Sequence, residues 1–538
     1  MVKRITHSLA FLVTLLVLVV GGAVMFTAGG PKPIAWLKPM IERAMQVQGA
    51  PYKVTIGEAL IDWRSLSRFG AIRLSRVEWQ SLDGQVFATL PEMDATLRLP
   101  NLLIGEVSLG SVTVYNPKLF LVRDEQGEIK LGLQEDRAIL TLQELFAPMM
   151  APNEEDEKTA IRLPFKRFAI ENAYMQMTDI KTGSKLISSP FSLRVGRDDD
   201  GIYGAMSMPF LRKDATKDTT THYVAGTAQW NRDTEESVAS FTFEHMPADM
   251  ICMFASCGPV SDVSGKVSGT IKLGLNKKQA LENADITMST TRATLDVPEW
   301  FPEPLDIREG LVSARLSNHA KQWVVNELNL KFPDTIVKAT GNGMKHEDGW
   351  AVQATSEVTA LPMNKLYKYW PLMLSPESRT WVTNHITDGI ARKATLEVSL
   401  QPQDFGAEFY PDHAIHSVID AENLTINYLK GFPLATGVNG HVVFTGETME
   451  GSASTGKILT GTVIAGSRVR VKNLNTPATP MEAELKVSAP AGDVAALLAL
   501  KHFTFEDALK LNPETMQGTV DGQLALKFDA FSGDPDGE

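Results

Sequence analysis

Apolar and polar residues alternate in short runs along most of this chain. Thr395-Leu396-Glu397-Val398-Ser399-Leu400 sets Leu, Val and Leu on one side and Thr, Glu and Ser on the other. That period of two is the signature of a strand with one apolar face. The pattern recurs behind a glycine at three places. Gly265-Lys266-Val267-Ser268-Gly269-Thr270-Ile271-Lys272-Leu273-Gly274-Leu275 matches Gly518-Thr519-Val520-Asp521-Gly522-Gln523-Leu524-Ala525-Leu526-Lys527-Phe528 almost position for position, and Gly389 to Leu400 is one residue longer. The terminal residues Leu275, Leu400 and Phe528 lie 125 and 128 positions apart. Such a period is too long for a helical solenoid unit and predicts multi-strand modules in which each contacts its neighbours.

Other landmarks keep the same order. Pro304-Leu305, Gly310 and Val312 precede one strand, and Pro433-Leu434, Gly440 and Val442 precede another. An apolar-Pro element appears at Met246-Pro247, Leu361-Pro362 and Ala489-Pro490. The matching alternate positions Ile271, Leu273 and Leu275, then Leu396, Val398 and Leu400, then Leu524, Leu526 and Phe528 are expected to face one continuous apolar interior. Lys272 and Glu397 are expected to face solvent. With roughly 450 residues at about 11 per strand and turn, some 40 strands are expected, and few helices are present to cover them. The apolar face must therefore meet another sheet, as in a chain of β-sandwiches, or an apolar ligand.

Helical spacing is confined to short segments. Ile34 to Val47, Asp136 to Met149, Pro376 to Asp388 and Asp493 to about His502 read as helices. In the third, Ser375 is the expected N-cap and Gly389 the left-handed stop. Asp83-Gly84, Gln126-Gly127, Thr182-Gly183 and Asp200-Gly201 read as hairpin turns. The expected divisions are 1–30, a cytoplasmic N-terminus and transmembrane anchor; 31–150, a β region with a membrane-proximal helix; 151–246, a second β region; and 247–538, the repeat region. The last of these stops within a module, as a partial cap or as a piece of a longer protein.

The N-terminal expectation rests on Leu9 to Ala28, twenty residues without charge. At about 1.5 Å per residue they span a hydrocarbon core. Lys3 and Arg4 precede them and the first acidic residue is Glu42, so the bulk of the chain should lie across the membrane from its N-terminus. The length favours an uncleaved anchor over a signal peptide.

Charge and chemistry narrow the picture further. A net charge of −12 over 538 residues, with no basic face, argues against nucleic acid. The two cysteines, Cys252 and Cys257, fit either a small-loop disulfide or two buried thiols. They do not make a metal site, and none is expected elsewhere. Gly451-Ser452-Ala453-Ser454-Thr455-Gly456-Lys457 imitates a phosphate loop, but Ile458 stands where Ser or Thr is required. No catalytic residues and no cofactor follow from the sequence.

Val112-Thr113-Val114-Tyr115-Asn116-Pro117-Lys118-Leu119-Phe120-Leu121-Val122-Arg123-Asp124 resembles a signature of the AsmA-like envelope proteins, and Phe168 to Asp179 resembles the next such element. Tyr369-Trp370-Pro371, Pro376-Glu377 and Trp381-Val382 through Gly389 resemble the YhdP branch. The resemblance implies a relative of TamB-type and bridge-like lipid transfer proteins, anchored in the bacterial inner membrane with a single span and otherwise periplasmic. It implies a mainly β fold, an elongated repeat-built sheet curled into a groove, which carries phospholipid toward the outer membrane. An outer-membrane or periplasmic protein partner would be of unknown identity. The alternative is an envelope scaffold or assembly regulator that acts through protein contacts without lipid cargo.

Overall fold

The computed structural model describes residues 14, 21–22, 25–45, 52–61, 71–81, 84, 86–97, 109–124, 129–132, 140–141, 166–180, 185–198, 200–212, 222–248, 263–372, 376–405, 410–428, 431–463, 465–474, 480–500 and 512–529. These residues are mainly β, with a few short helices. They divide into two compact units, 1–245 with 274–279, and 246–273 with 280–538.

In the first unit β1 (Lys32–Pro33) and helix α1 (Lys38–Met45) precede four antiparallel strands, β2 (Tyr52–Ile61), β3 (Ala71–Ser81), β4 (Val86–Leu97) and β5 (Leu109–Tyr115). Ile34 N–H bonds to the Ala59 carbonyl, and Ile56 N–H donates to the Glu42 carboxylate of α1 at 2.8 Å. These bonds seat the helical turn on the sheet. Ile41 of α1 and Ile56, Leu74 and Val77 of the strands are fully buried. β6 (Lys118–Arg123) forms a hairpin with β7 (Ile129–Gly132), and β8 (Leu140–Thr141) joins β7. The long β9 (Arg167–Asp179) then runs parallel to both β5 and β6 at one constant offset, Ser111 beside Arg167 and Arg123 beside Asp179.

That offset explains why the two similar sequence elements resemble each other. Asn116 and Asn172 occupy corresponding positions, and both take positive φ, 52° and 54°. Asparagine tolerates this conformation better than most residues. Asn116 N–H reaches the Glu171 carbonyl and Tyr174 N–H reaches that of Pro117, so the ladder crosses the kink. β10 (Lys185–Ser188), β11 (Phe191–Arg197), β12 (Gly201–Arg212), β13 (His222–Asn231) and β14 (Ser237–Pro247) continue in antiparallel pairs.

The second unit is a meander of β15 (Val263–Leu275, its last two residues in the first unit), β16 (Leu281–Leu295), β17 (Leu305–Ile307), β18 (Glu309–Ser317), β19 (Gln322–Lys331), β20 (Ile336–Lys345) and β21 (Trp350–Pro362). Helices α2 (Leu366–Tyr369) and α3 (Pro376–His385) intervene. β22 (Ile386–Leu400), β23 (Ile415–Ile426), β24 (Ala435–Thr445), β25 (Met449–Ile458), β26 (Gly461–Val463), β27 (Ser467–Val471) and β28 (Pro480–Pro490) follow, then α4 (Ala491–Leu498) and β29 (Thr519–Asp529).

The repeat has a physical form here. β21 and β28 each end on the apolar-Pro element, a helical segment follows, and the sheet resumes in a strand with a glycine just before it (Gly518) or near its start (Gly389). Gly265, Gly389 and Gly518 all have positive φ, 121°, 104° and 101°. An L side chain rarely adopts such angles, which is why glycine holds these three positions. At Gly389 a Cβ would also stand 2.7 Å from the Asn423 carbonyl oxygen.

Several expectations are corrected. α3 stops at His385, and Ile386 to Asp388 already belong to β22. Gly389 therefore marks a bulge inside a strand, where the register shifts between Asp388 and Ile390, and is not a helix stop. Leu140–Thr141, expected to be helical, is a strand paired with Lys130 and Leu131. The last helix begins at Ala491 and ends at Leu498. The described residues hold 29 strands, fewer than the sequence estimate, in part because β16 and β22 each run 15 residues. Gly451 to Lys457 lie within β25, where an extended backbone forms no phosphate cradle. Ser375, Cys252 and Cys257 lie outside the described residues, as does most of Leu9 to Ala28. Among the described residues no helix is long and apolar enough to cross a membrane.

Candidate functional site

The hydrogen-bond register of the second unit aligns its apolar positions into rows that run across the strands. One row reads Met288, Val312, Leu328, Ala339, Ser356, Leu396, Ser417, Phe444, Met449, Val471, Met481 and Phe528. Beside it run Ile286, Ala314, Val325, Gly341, Ala354, Val398 and Ile415. A third carries Ala394, Ile419, Val442, Gly451, Val469, Ala483 and Leu526. None of these positions bears a charge.

The sequence-selected residues map onto this face as follows. Leu396, Val398 and Leu400 occupy adjacent rows, Leu400 opposite Val352. On β29 the register is offset from the sequence alignment: Phe528 shares the row of Leu396 and Leu526 that of Ala394, opposite Met481 and Ala483, and Leu524 stands opposite Leu485. A Cβ at Gly269 would lie 3.1 Å from the Met288 side chain, so Ile271 and Leu273, two and four residues further on, share its side of β15. Leu275 falls in the 274–279 segment of the first unit. Glu397 and Lys272 are exposed.

Burial separates this surface from an ordinary core. Met288, Val312, Leu328, Leu396, Val398, Ile415, Val442, Phe444 and Met449 are all half-buried. In a β-sandwich the same inward positions would be dry. The face is thus apolar in register, unbroken by charge and not fully buried.

Full burial occurs where non-strand segments lie over the sheet. Leu361, Met363, Ala391, Ala421 and Leu424 pack with Val382 of α3. Leu305, Ile307, Phe332 and Ala293 pack with Phe301 and Tyr369. Ala435, Ile458 and Val463 pack with Leu497 of α4. Trp381 and Val382 of α3 also enclose a cavity of about 30 Å³ with Phe444, Met449, Val471 and Met481, which places α3 across one part of the apolar face. Within α3 the Trp381 and His385 rings stack at 4.8 Å, and His385 Nδ1 lies 2.8 Å from the Trp381 carbonyl oxygen. His385 is thus a packed helix residue.

One ionic anchor holds α2 to the sheet. Asp334 accepts from Lys365 Nζ at 2.6 Å and from the Tyr369 hydroxyl at 3.1 Å. The Lys365 ammonium holds the Asp334 carboxyl below its usual range. Burial, with the Asp334 carboxylate beside it, pushes the Tyr369 phenol upward.

Sequence patterning missed several members of the surface, notably Phe444, Met449, Ile415 and Ile419. Their signal is present in the alternation of Ile415-His416-Ser417-Val418-Ile419 and His441-Val442-Val443-Phe444, which the three-repeat comparison bypassed. A cavity of about 550 Å³ is lined by the polar Asn326, Thr340, Asn342, Gln353, Thr355, Glu397, Ser399, His413 and His416, together with Val324 and with Val325, Gly341, Ala354 and Val398 of the second row. No group of His, Cys, Asp and Glu among the described residues is arranged to hold a metal.

Comparison with known families agrees with this architecture. Residues 264–536 match the family model described as YhdP protein, and residues 1–218 match the AsmA family. No curated protein and no solved structure matches the chain. The positive-φ glycines, the helical insertions and the apolar register rows all lie in the first of these regions, the paired Asn kinks in the second, and the chain belongs to the YhdP family, with an AsmA-family N-terminal portion.

Proposed function

We propose that the half-buried apolar face of the second unit receives phospholipid acyl chains and conducts them through the bacterial envelope toward the outer membrane. The observation that carries this reading is the row from Met288 to Met449, nine strands wide in register without a charged residue and without full burial. Acyl chains are the ligand such a face suits, because they need apolar contact and no hydrogen bonds. The polar face keeps the sheet soluble through cross-strand ion pairs such as Lys393 with Glu357 and Arg470 with Glu450.

Membership of the YhdP and AsmA families supports an envelope location. The uncharged Leu9 to Ala28 segment, with Lys3 and Arg4 before it, supports a single inner-membrane anchor with the two units in the periplasm. Native mass spectrometry of the full chain, extracted in mild detergent, tests the reading. Copurified phospholipid is expected. A chain that emerges without lipid would favour the scaffold, acting by protein contacts alone.

A further inference from the structure

The cavity of about 550 Å³ is lined mainly by polar side chains that alternate along their strands with the proposed lipid rows. It also touches Val324 and four members of those rows, Val325, Gly341, Ala354 and Val398. Its polar lining differs from the other outward positions. Several outward positions elsewhere in the second unit are ion-paired, as in Lys331 with Glu309, Lys393 with Glu357 and Lys527 with Glu482. Around the cavity there is no Lys or Arg. Asn342 stands opposite Gln353 and Gln353 opposite Ser399, while Thr340 stands opposite Thr355 and Thr355 opposite Glu397. Asn326 reaches the same cavity from the bulge of β19, where register shifts between Val325 and Leu328.

None of these six neutral side chains has a side-chain hydrogen-bond partner among the described residues. His416 lies 4.0 Å from Glu397, and His413 lies 4.0 Å from Asp404, beyond hydrogen-bond length in both cases.

We propose that this cavity is a binding site for a neutral, polyhydroxylated ligand, an oligosaccharide chain. Its volume of about 550 Å³ falls within the usual range for a ligand site, 300–1,000 Å³. Three amides and three hydroxyls offer donors and acceptors together, and sugar hydroxyls, which both donate and accept, satisfy them in pairs. An anion would meet Glu397 and leave the amide carbonyls unpaired. A metal cation would find no ligand cluster. A peptide pairs through backbone groups at a sheet edge, but this floor is mid-sheet, where the ladder already uses those groups.

Saturation-transfer NMR on the full chain in lauryldimethylamine oxide, a sugar-free detergent, provides the test. The probes are chitohexaose, maltohexaose and a neutral hexapeptide. Transfer to at least one sugar is expected, falling at least threefold in Asn342→Ala/Gln353→Ala and also in Thr340→Val/Thr355→Val, with the wild-type melting temperature retained by at least one pair. No transfer to either sugar, undiminished transfer in a folded variant, or preferential transfer to the peptide would overturn the assignment.

Discussion

Leu74 and Val398 are both apolar residues at inward positions of long antiparallel strands, yet one is fully buried and the other only half-buried. In the first unit Ile56, Leu74, Met93, Ala95, Val112 and Val114 are all buried. In the second, the described clusters of fully buried residues lie where α3, α4 and the Val297–Phe301 turn reach the sheet. The strands of the two units are built alike, with the same alternation and the same bulges. The difference lies in what lies over the apolar side. A dry apolar face suits a scaffold, and a face left open suits the ligand surface proposed above.

The largest expected effect tests that contrast directly. Leu74→Asp would bury a carboxylate in the closed core and should cost more than about 4 kcal/mol, unfolding the first unit. Val398→Asp should cost less than about 1 kcal/mol, since water reaches its half-buried site. Thermal melts with limited proteolysis measure both, and equal losses would break the comparison.

Glycine substitutions come next. Gly389→Val combines a φ of 104° with a clash against the Asn423 and Glu422 carbonyls, and should cost roughly 2–4 kcal/mol. Gly518→Ala has a similar φ of 101° but nothing within 4 Å of the new Cβ, and should cost about 1 kcal/mol. Denaturant titration that ranks them in the opposite order would show that the three glycine-led strands are not physically equivalent.

Within the covered part of the second unit, Leu361→Ala should cost about 2–3 kcal/mol through the cavity left under α3. The same truncation at Leu396, on the open face, should cost less. The smallest effect is ionic. Asp334→Asn removes a charged partner from Lys365 and should destabilise the α2 seat by about 1 kcal/mol at neutral pH. The folded-state pKa of Asp334 is depressed, so its contribution is present above the usual carboxylate range and disappears as pH falls through the lowered value. The melting difference between wild type and Asp334→Asn should therefore be constant from pH 7 to about 5 and vanish well below about 4.

Much of this was legible in the residues themselves. The period-2 runs gave the strands because an alternating run has only one way to bury its apolar side. Gly265, Gly389 and Gly518 marked the repeat because each sits at a backbone angle closed to other residues. Bulges were not legible. The switch from α3 to strand at Ile386 depends on β23, whose Ile426 pairs with Ile386 across 40 residues of chain. Nor was the parallel pairing of β5 and β6 with β9 visible, since alternation fixes a face and not a neighbour. The polar cavity escaped notice because an outward polar row reads the same whether the surface beneath it is flat or hollow.

The most direct measurement of the central claim is site-specific photo-crosslinking in living cells at two adjacent positions of β22. Val398 lies in the apolar rows and Glu397 is exposed on the opposite side. A crosslinker at 398 is expected to capture phospholipid, and one at 397 is not. Equal capture at the two positions, or none at 398 in a normally abundant protein, would contradict an acyl-chain surface on this face.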